Sequence, residues 1–448
     1  MISIERAFEL LVANVGALGS ESVNLQASVG RVLARPVISD VDSPPHRKSL
    51  MDGFAVRVAD IHSGRKRLRV IETIAAGGWP AKEIGSGEAA RIMTGAPVPN
   101  GADAVVMIEH TTLEDEGAYV RVCVDQLKPD QHLANRADNF YRGQTLFSAG
   151  HRLRATDVGL LAEAGAAQVQ VGQRPSVSIL PTGNELVDCG QFPQPGQIRN
   201  SNGPMLAAMS KRNGLATTLM PVCIDDAKML EEQILLGLQS DVLLLTGGVS
   251  EGLLDLVPKT LHKLGVREVF HKVRIKPGKP IWFGVTFGEA DAENRWSTNP
   301  HSRQTNNRCY VFGLPGNPVS SLVGFELFVR TAIRLLEGIG SVEVRGDETE
   351  TILLEKAFPE SAPSALTPSA LPGSVMAILT MDHENRGDRP TYWPGRILSS
   401  SSATRQVEPL RWKGSSDLLS LSLADGLIYF SGEDRSISAG SVVNFFPF

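Results

Sequence analysis

Val242-Leu243-Leu244-Leu245-Thr246-Gly247-Gly248-Val249-Ser250-Glu251-Gly252 is the stretch that decides the fold. Four apolar residues in a row, with no polar alternation, read as a strand buried on both faces. The glycines end that strand in a tight turn, and Asp255–Leu264 then resumes with helical spacing. Strand, turn and helix in this order make half of a βαβ unit. The same alternation extends outward on both sides. Strands are predicted over Val177–Leu180, Thr217–Ile224, Asp241–Leu245 and Tyr310–Leu314, and helices over Met205–Arg212, Ala227–Leu238, Asp255–Leu264 and Pro318–Glu337. Residues 174–340 therefore form a three-layer α/β domain around a mostly parallel sheet. Ligands of such sheets bind beyond the carboxyl ends of the strands, so the loops there are where chemistry is sought.

The flanks differ in pattern. Residues 1–48 open with a helical period (Ala7, Phe8, Leu10, Leu11) and are read with 146–173 as two parts of one domain. Between them, 49–145 is rich in glycine and in short valine or isoleucine runs, such as Ala104-Val105-Val106-Met107-Ile108, and reads as an inserted β-rich domain. Residues 341–448 give short strands with turns at Gly414, Gly426, Gly432 and Gly440, a C-terminal β domain.

A chain of 448 residues exceeds one core, and its 42% apolar content can fill several. The net charge is −5, with Lys and Arg spread along the chain, which argues against nucleic acid or an anionic membrane as partner. No apolar run approaches the ~20 residues that span a bilayer. Met1–Glu9 reads as amphipathic helix, not as a signal peptide. Cys123, Cys189, Cys223 and Cys309 are far apart with no C-x-x-C pair, as expected of reduced thiols in a cytoplasmic protein.

Several loops could carry chemistry. Gly247, Gly248, Val249 and Ser250 present backbone amides to an anion, although a bare strand-to-helix turn uses similar residues. Lys276-Pro277-Gly278-Lys279-Pro280 mounts two lysines on a rigid turn, so an anion bound there costs little ordering entropy. Gly313-Leu314-Pro315-Gly316-Asn317-Pro318 allows close backbone approach, with Asn317 placed as a helix cap. Glu185, Asp225 and Asp255 fall on the same rim. Carboxylates gathered beside an anion loop repel unless a cation joins them, and Mg²⁺ suits oxygen ligands next to phosphate.

Taken together and in order, these loops resemble the molybdopterin molybdenumtransferase family: bacterial MoeA and the E domains of plant Cnx proteins and gephyrin. The likeness also covers Asp42-Ser43-Pro44-Pro45, Ser49-Leu50-Met51-Asp52-Gly53-Phe54, Ile92-Met93-Thr94-Gly95-Ala96-Pro97 and Pro181-Thr182-Gly183-Asn184-Glu185-Leu186. It implies a multidomain α/β protein with β-rich domains, whose central domain is MogA-like and whose C-terminal domain is β-barrel-like, assembled as an L-shaped homodimer. It implies insertion of molybdate into adenylylated molybdopterin, with Mg²⁺-dependent release of AMP and molybdenum cofactor. A MogA-type adenylyltransferase and molybdoenzyme apoproteins become candidate partners. By the same likeness, the oxyanion sits near Ser250, Lys276, Lys279 and Pro280, faced by Ser415. The pterin nucleotide lies along Gly247, Gly248, Val249, Gly313, Pro315, Gly316 and Asn317. Asp225, Asp255 and Glu185 serve metal and phosphate, and Asp52 and Thr94 reach the cleft from the other subunit.

Three positions depart from the family pattern. Asn139 stands where an active-site aspartate is expected, Leu253 where an acidic or small residue is, and Pro394 where an arginine is. Arg396, two residues on, keeps the face of a strand that Pro394 occupies and is read as the substitute. Two alternatives follow: a paralogue that binds the pterin nucleotide without chemistry, and an adenylyltransferase acting one step earlier.

Overall fold

The apolar run is a strand, Val242–Thr246, with every residue buried. It pairs in parallel with Ser176–Pro181 on one side and Tyr310–Leu314 on the other. Side chains along a strand alternate faces. Val242 and Leu244 therefore join Leu206, Phe312 and Phe328 in one core, while Leu243 and Leu245 join Leu230, Ile234 and Leu261 in another. Helices thus cover both faces, and each fully buried leucine contributes about 1.5–3 kcal/mol. Truncating Leu244 to Ala costs about 2–5 kcal/mol, because the close-packed layer cannot collapse into the hole.

The computed structural model describes residues 1–249, 256–286, 308–339, 374–385, 387–399, 405–433 and 435–448. They form two compact units: 1–21, 30–34 and 170–448, and 22–29 with 35–169. In the first unit the central sheet runs Ala216–Leu219, Ser176–Pro181, Val242–Thr246, Tyr310–Leu314, Trp282–Thr286, Val266–His271. The first four strands are parallel, as read from the sequence. The last two continue it antiparallel, and periodicity alone did not single them out. Their connection is a short turn through Lys276–Pro280, too brief for a crossover helix, so the second strand must run back beside the first. The predicted strand Thr217–Ile224 is cut to Ala216–Leu219, with Cys223 making only an isolated bridge to Thr182.

Asp226 starts the helix Ala227–Gly237 by accepting from the Lys228 and Met229 N–H groups, filling donors that a helix N-terminus leaves unpaired. The predicted helix Pro318–Glu337 is three segments: α over Pro318–Gly324, π over Phe325–Val329, α over Arg330–Leu336. Helix Ile4–Asn14 buries Ile4, Ala7, Phe8 and Leu11, with Phe8 stacked on Phe328 at 5.1 Å.

The same unit carries a closed five-stranded barrel of Val375–Leu379, Arg405–Pro409, Thr391–Ser399, Gly426–Phe430 and Val442–Pro447. Its interior is filled by Leu379, Val407, Ile428, Phe430 and Phe445. The second unit holds a six-stranded sheet with Glu88–Ile92 and Arg67–Ile74 at its centre, built on Phe54, Leu68, Val106 and Val120. Among the described residues no helix is long and apolar enough to cross a membrane.

Candidate functional site: two adjoining cavities

Three turns meet at the carboxyl ends of the central strands. Gly247 N–H donates to Leu314 O at 3.2 Å and Thr182 N–H to Thr246 O at 2.9 Å, which ties the turns edge to edge. Gly247 and Gly248 have φ of 91° and 64°, the left-handed region that glycine enters without penalty. A Cβ on Gly247 would sit 2.4 Å from Thr182 O. Asn202 Nδ2 donates to Gly316 O at 2.7 Å and closes the far side. The turns enclose a cavity of about 540 Å³, with Glu185, Arg199–Asn202, Ser416 and Leu418 completing its wall. Glu185 and Arg199 are its only charged lining residues among those described. Nothing among the described residues pairs with the Glu185 carboxylate, which folds against Gly183.

A second cavity of about 530 Å³ shares Pro280, Pro315 and Asn317 with the first. The Lys276–Pro280 turn forms one side and the barrel the other. Lys276 N–H donates to Pro390 O at 2.9 Å, Tyr392 N–H to Lys276 O at 2.8 Å, and Arg389 Nη1 to Ile275 O at 3.3 Å. These bonds fix the turn to the barrel's edge. Opposite, Val319 N–H donates to Ser415 O at 3.1 Å and Asn317 Nδ2 to Ser415 Oγ at 2.9 Å. Asn317 precedes Pro318 as the helix cap position, but its side chain makes no capping bond. It reaches Ser415 instead, trading a local bond for a link between domains. Lys276, Lys279, Arg389 and Lys413 line this cavity, and no carboxylate among the described residues does. Concave walls of one charge sign concentrate the field and attract anions. Trp393 and Trp412 meet edge to face at 4.8 Å in its wall, and His383 packs edge-on to Trp393 while stacking on Phe430. Burial holds the His383 pKa below its ordinary value.

The family models that match are the MoeA N-terminal region (domain I and II) over residues 2–165, the probable molybdopterin binding domain over 178–335 and the MoeA C-terminal region (domain IV) over 376–448. A molybdopterin molybdenumtransferase of Staphylococcus aureus is 30% identical over 432 residues, covering 90% of this chain and 97% of that protein. The chain belongs to the molybdopterin molybdenumtransferase family. A Staphylococcus epidermidis member with the same name is 29% identical, covering 99% and 94% of the two chains. The molybdopterin biosynthesis MoeA protein of Pyrococcus horikosii superposes with a TM-score of 0.72 at 26% identity, over 100% of this chain and 99% of that one.

The fold brings most of the family's expected positions together. Glu185, Gly247, Gly248, Val249, Pro280, Pro315, Gly316 and Asn317 line the first cavity, and Lys276, Lys279, Pro280 and Ser415 the second. Gly313 lies beneath them in its strand, where a Cβ would strike Val249 Cγ1 at 2.6 Å, so its role is to let the turn close. Asp225 sits on the loop beside Glu185, its N–H donating to Asn184 Oδ1 at 3.0 Å, but lines neither cavity. Ser250 and Asp255 lie outside the described residues, as does Leu253. Among the described residues no three His, Cys, Asp or Glu side chains gather as a metal cluster. Arg396 lines neither cavity; it pairs with Glu408 on the adjacent strand, with Nε–Oε1 at 3.0 Å.

Asp52 and Thr94 belong to the second unit and to each other. Asp52 Oδ1 accepts from Thr94 N–H at 2.6 Å and from Thr94 Oγ1 at 2.7 Å, and these bonds lower the carboxyl's pKa. Asn139 Nδ2 donates to Ser43 Oγ at 3.1 Å. The adjacent Asp138 carboxylate accepts the Asn135 N–H at 2.6 Å within a turn. The residues that sequence reasoning missed are Asn202, Arg389, Trp393, Trp412 and Lys413. Asn202 had a signal, the polar run Arg199-Asn200-Ser201-Asn202 between strand and helix. The barrel residues had none, since nothing in a strand pattern says which domain its loops will face.

Proposed function

We propose that this chain, as a molybdopterin molybdenumtransferase in molybdenum cofactor biosynthesis, inserts molybdate into adenylylated molybdopterin and releases AMP and molybdenum cofactor. One observation carries the reading: a cavity lined by glycine-rich turns abuts a cation-lined one, and Pro280, Pro315 and Asn317 belong to both. The first suits a pterin with its phosphate, because backbone N–H groups hold phosphate oxygens without a counter-charge. The second suits a small dianion. Holding the two reactants against one shared wall removes most of the entropy cost of bringing them together.

Within that scheme Lys276 and Lys279 bind the oxyanion, and Ser415, fixed by Asn317, orients it. Pro280 and Pro315 offer no N–H and keep water from the shared wall. Mg²⁺ takes oxygen ligands, and the unpaired Glu185 carboxylate in the wall, with Asp225 on the neighbouring loop, is a donor set that fits it; Asp255 is proposed as the third ligand. When bound, the ion supplies charge neutralisation at the phosphate. Asp52 and Thr94 are proposed as a further catalytic pair, the chain as a homodimer, and its place as the cytoplasm. Light scattering on the purified protein tests the dimer.

The assay supplies adenylylated molybdopterin, molybdate and Mg²⁺ and follows AMP and active cofactor. Well-folded protein that yields neither overturns the reading. A binding-only paralogue is the second reading, favoured by Asn139, whose neutral amide is spent on Ser43 where the family carries a charge. It requires tight ligand binding without AMP release, and activity appearing in Asn139→Asp.

A further inference from the structure

We infer that Lys413, on the barrel loop Arg411–Ser415, is a third lysine that grips the oxyanion in the second cavity. This rests on the reading of that cavity as the molybdate site. Four cations line it, and they are not equivalent. Arg389 is a strut: its Nη1 donates to Ile275 O at 3.3 Å, and its Nε lies 3.7 Å from Asp388. Lys276, Lys279 and Lys413 differ, because no hydrogen bond or ion pair among the described residues engages their ammonium groups. The one carboxylate on the Lys413 loop, Asp417, is already taken by the Lys413 N–H at 3.0 Å and by Ser420 N–H and Oγ at 3.1 and 2.6 Å.

Those same bonds hold the Lys413 backbone in place, and Ser415 is anchored on the opposite wall by Val319 and Asn317. The loop is therefore fixed, and although the Lys413 charge acts on Asp417 from a distance, no hydrogen bond or ion pair among the described residues holds its ammonium group, so little ordering entropy is lost on binding an anion. The neighbouring strand offers no substitute. Pro394 carries no charge and Arg396 is committed to Glu408. The next residue in the loop, Trp412, has a buried Nε1 with no partner among the described residues, a neutral donor beside the cation. Three ammonium groups from two domains around one tetrahedral dianion select for charge and size together, so the ligand class is molybdate and its tetrahedral analogues.

The test titrates the full chain with sodium molybdate, read by calorimetry and by tryptophan fluorescence, for wild type, Lys276→Met, Lys413→Met and Lys413→Arg. Lys413→Met should weaken molybdate about tenfold at low salt, as loss of a charged hydrogen bond does, while Lys413→Arg stays near wild type. The deficit should shrink as salt rises. Adenylylated molybdopterin should bind all four proteins equally. Wild-type protein that binds no molybdate removes the underlying reading of the cavity. Molybdate binding lost in Lys276→Met but unchanged in Lys413→Met overturns this inference alone. Lys413 is exposed, so its substitution should leave melting unchanged; if Lys413→Met does not fold, Lys413→Gln makes the same comparison.

Discussion

The two cavities share a wall but are built on opposite plans. The first is made of backbone: its turns are held by main-chain hydrogen bonds, and Gly247 and Gly248 take left-handed φ there without a Cβ to crowd the cavity. The second is made of side chains, with lysines from the sheet domain and from the barrel and two indoles between them. A backbone site fails through shape and ignores salt, whereas a cation site fails through charge and fades as ionic strength rises. The difference therefore predicts which substitutions damage which half of the reaction.

The sharpest way to break the comparison is Gly247→Val. The new Cβ would meet Thr182 O at 2.4 Å and φ would be held at 91°, where a β-branched residue is an outlier. Such strain costs about 1–3 kcal/mol. Added to the clash, it should weaken adenylylated molybdopterin by about a hundredfold, each tenfold being about 1.4 kcal/mol. Molybdate affinity should change by less than about threefold if the two plans are independent, since the contacts of the second cavity are untouched. Calorimetry with each ligand separately checks this, and equal losses for both would dissolve the distinction.

Lys276→Ala tests the other half. Removing a charged hydrogen bond costs about 1.5–3 kcal/mol, so molybdate should weaken about tenfold to a hundredfold at low salt. Pterin nucleotide binding should hold. Asn317→Ala comes next in size and sharpens the comparison instead of breaking it. Asn317 lines both cavities, and its only side-chain bond among the described residues is to Ser415 Oγ. Loss of that bond costs about 0.5–1.5 kcal/mol, so both affinities should fall about threefold to tenfold together. Because the side chain makes no capping bond, the helix it precedes should not lose stability.

The contrast also explains what could be read from the sequence. Backbone sites leave their mark locally, because a turn that needs positive φ needs glycine, and Gly247-Gly248 directly follows the apolar strand that places it. The parallel strands, the turns at their ends and the Lys276–Pro280 clamp were legible for that reason. The antiparallel strands Val266–His271 and Trp282–Thr286 were not, because consecutive buried residues such as Trp282 and Phe283 carry no periodicity that distinguishes a strand from a helix. Asn317 reads as a cap at its position, and only the presence of Ser415 across the cleft turns it outward. Arg396 was expected to substitute for the family's arginine, yet strand parity says nothing of Glu408 on the neighbouring strand, which engages it. Arg389, Trp393, Trp412 and Lys413 belong to a barrel whose docking is a tertiary fact. Half of the site thus lies in contacts about a hundred residues apart in the chain, where no local pattern reaches.

The smallest expected effect reports on the same wall. His383 is packed between Trp393 and Phe430, and burial is the main cause of its depressed pKa; Lys276 repels the imidazolium further, while Glu384 acts the other way. A histidine whose folded pKa is lowered binds fewer protons when folded than when unfolded, so stability is complete above the ordinary value of 6.5 and declines as pH falls through the folded pKa. Thermal melts between pH 7.5 and 5 should show this slope, and His383→Phe, which preserves the ring packing, should flatten it. Molybdate offers a further check. An oxyanion held by Lys276 offsets the charge that repels protonated His383 and brings its folded pKa nearer the ordinary value, so saturating molybdate should make the decline shallower, whereas filling the first cavity should leave it unchanged. A slope that responds to the pterin nucleotide but not to molybdate would mean that the cation wall does not hold the oxyanion.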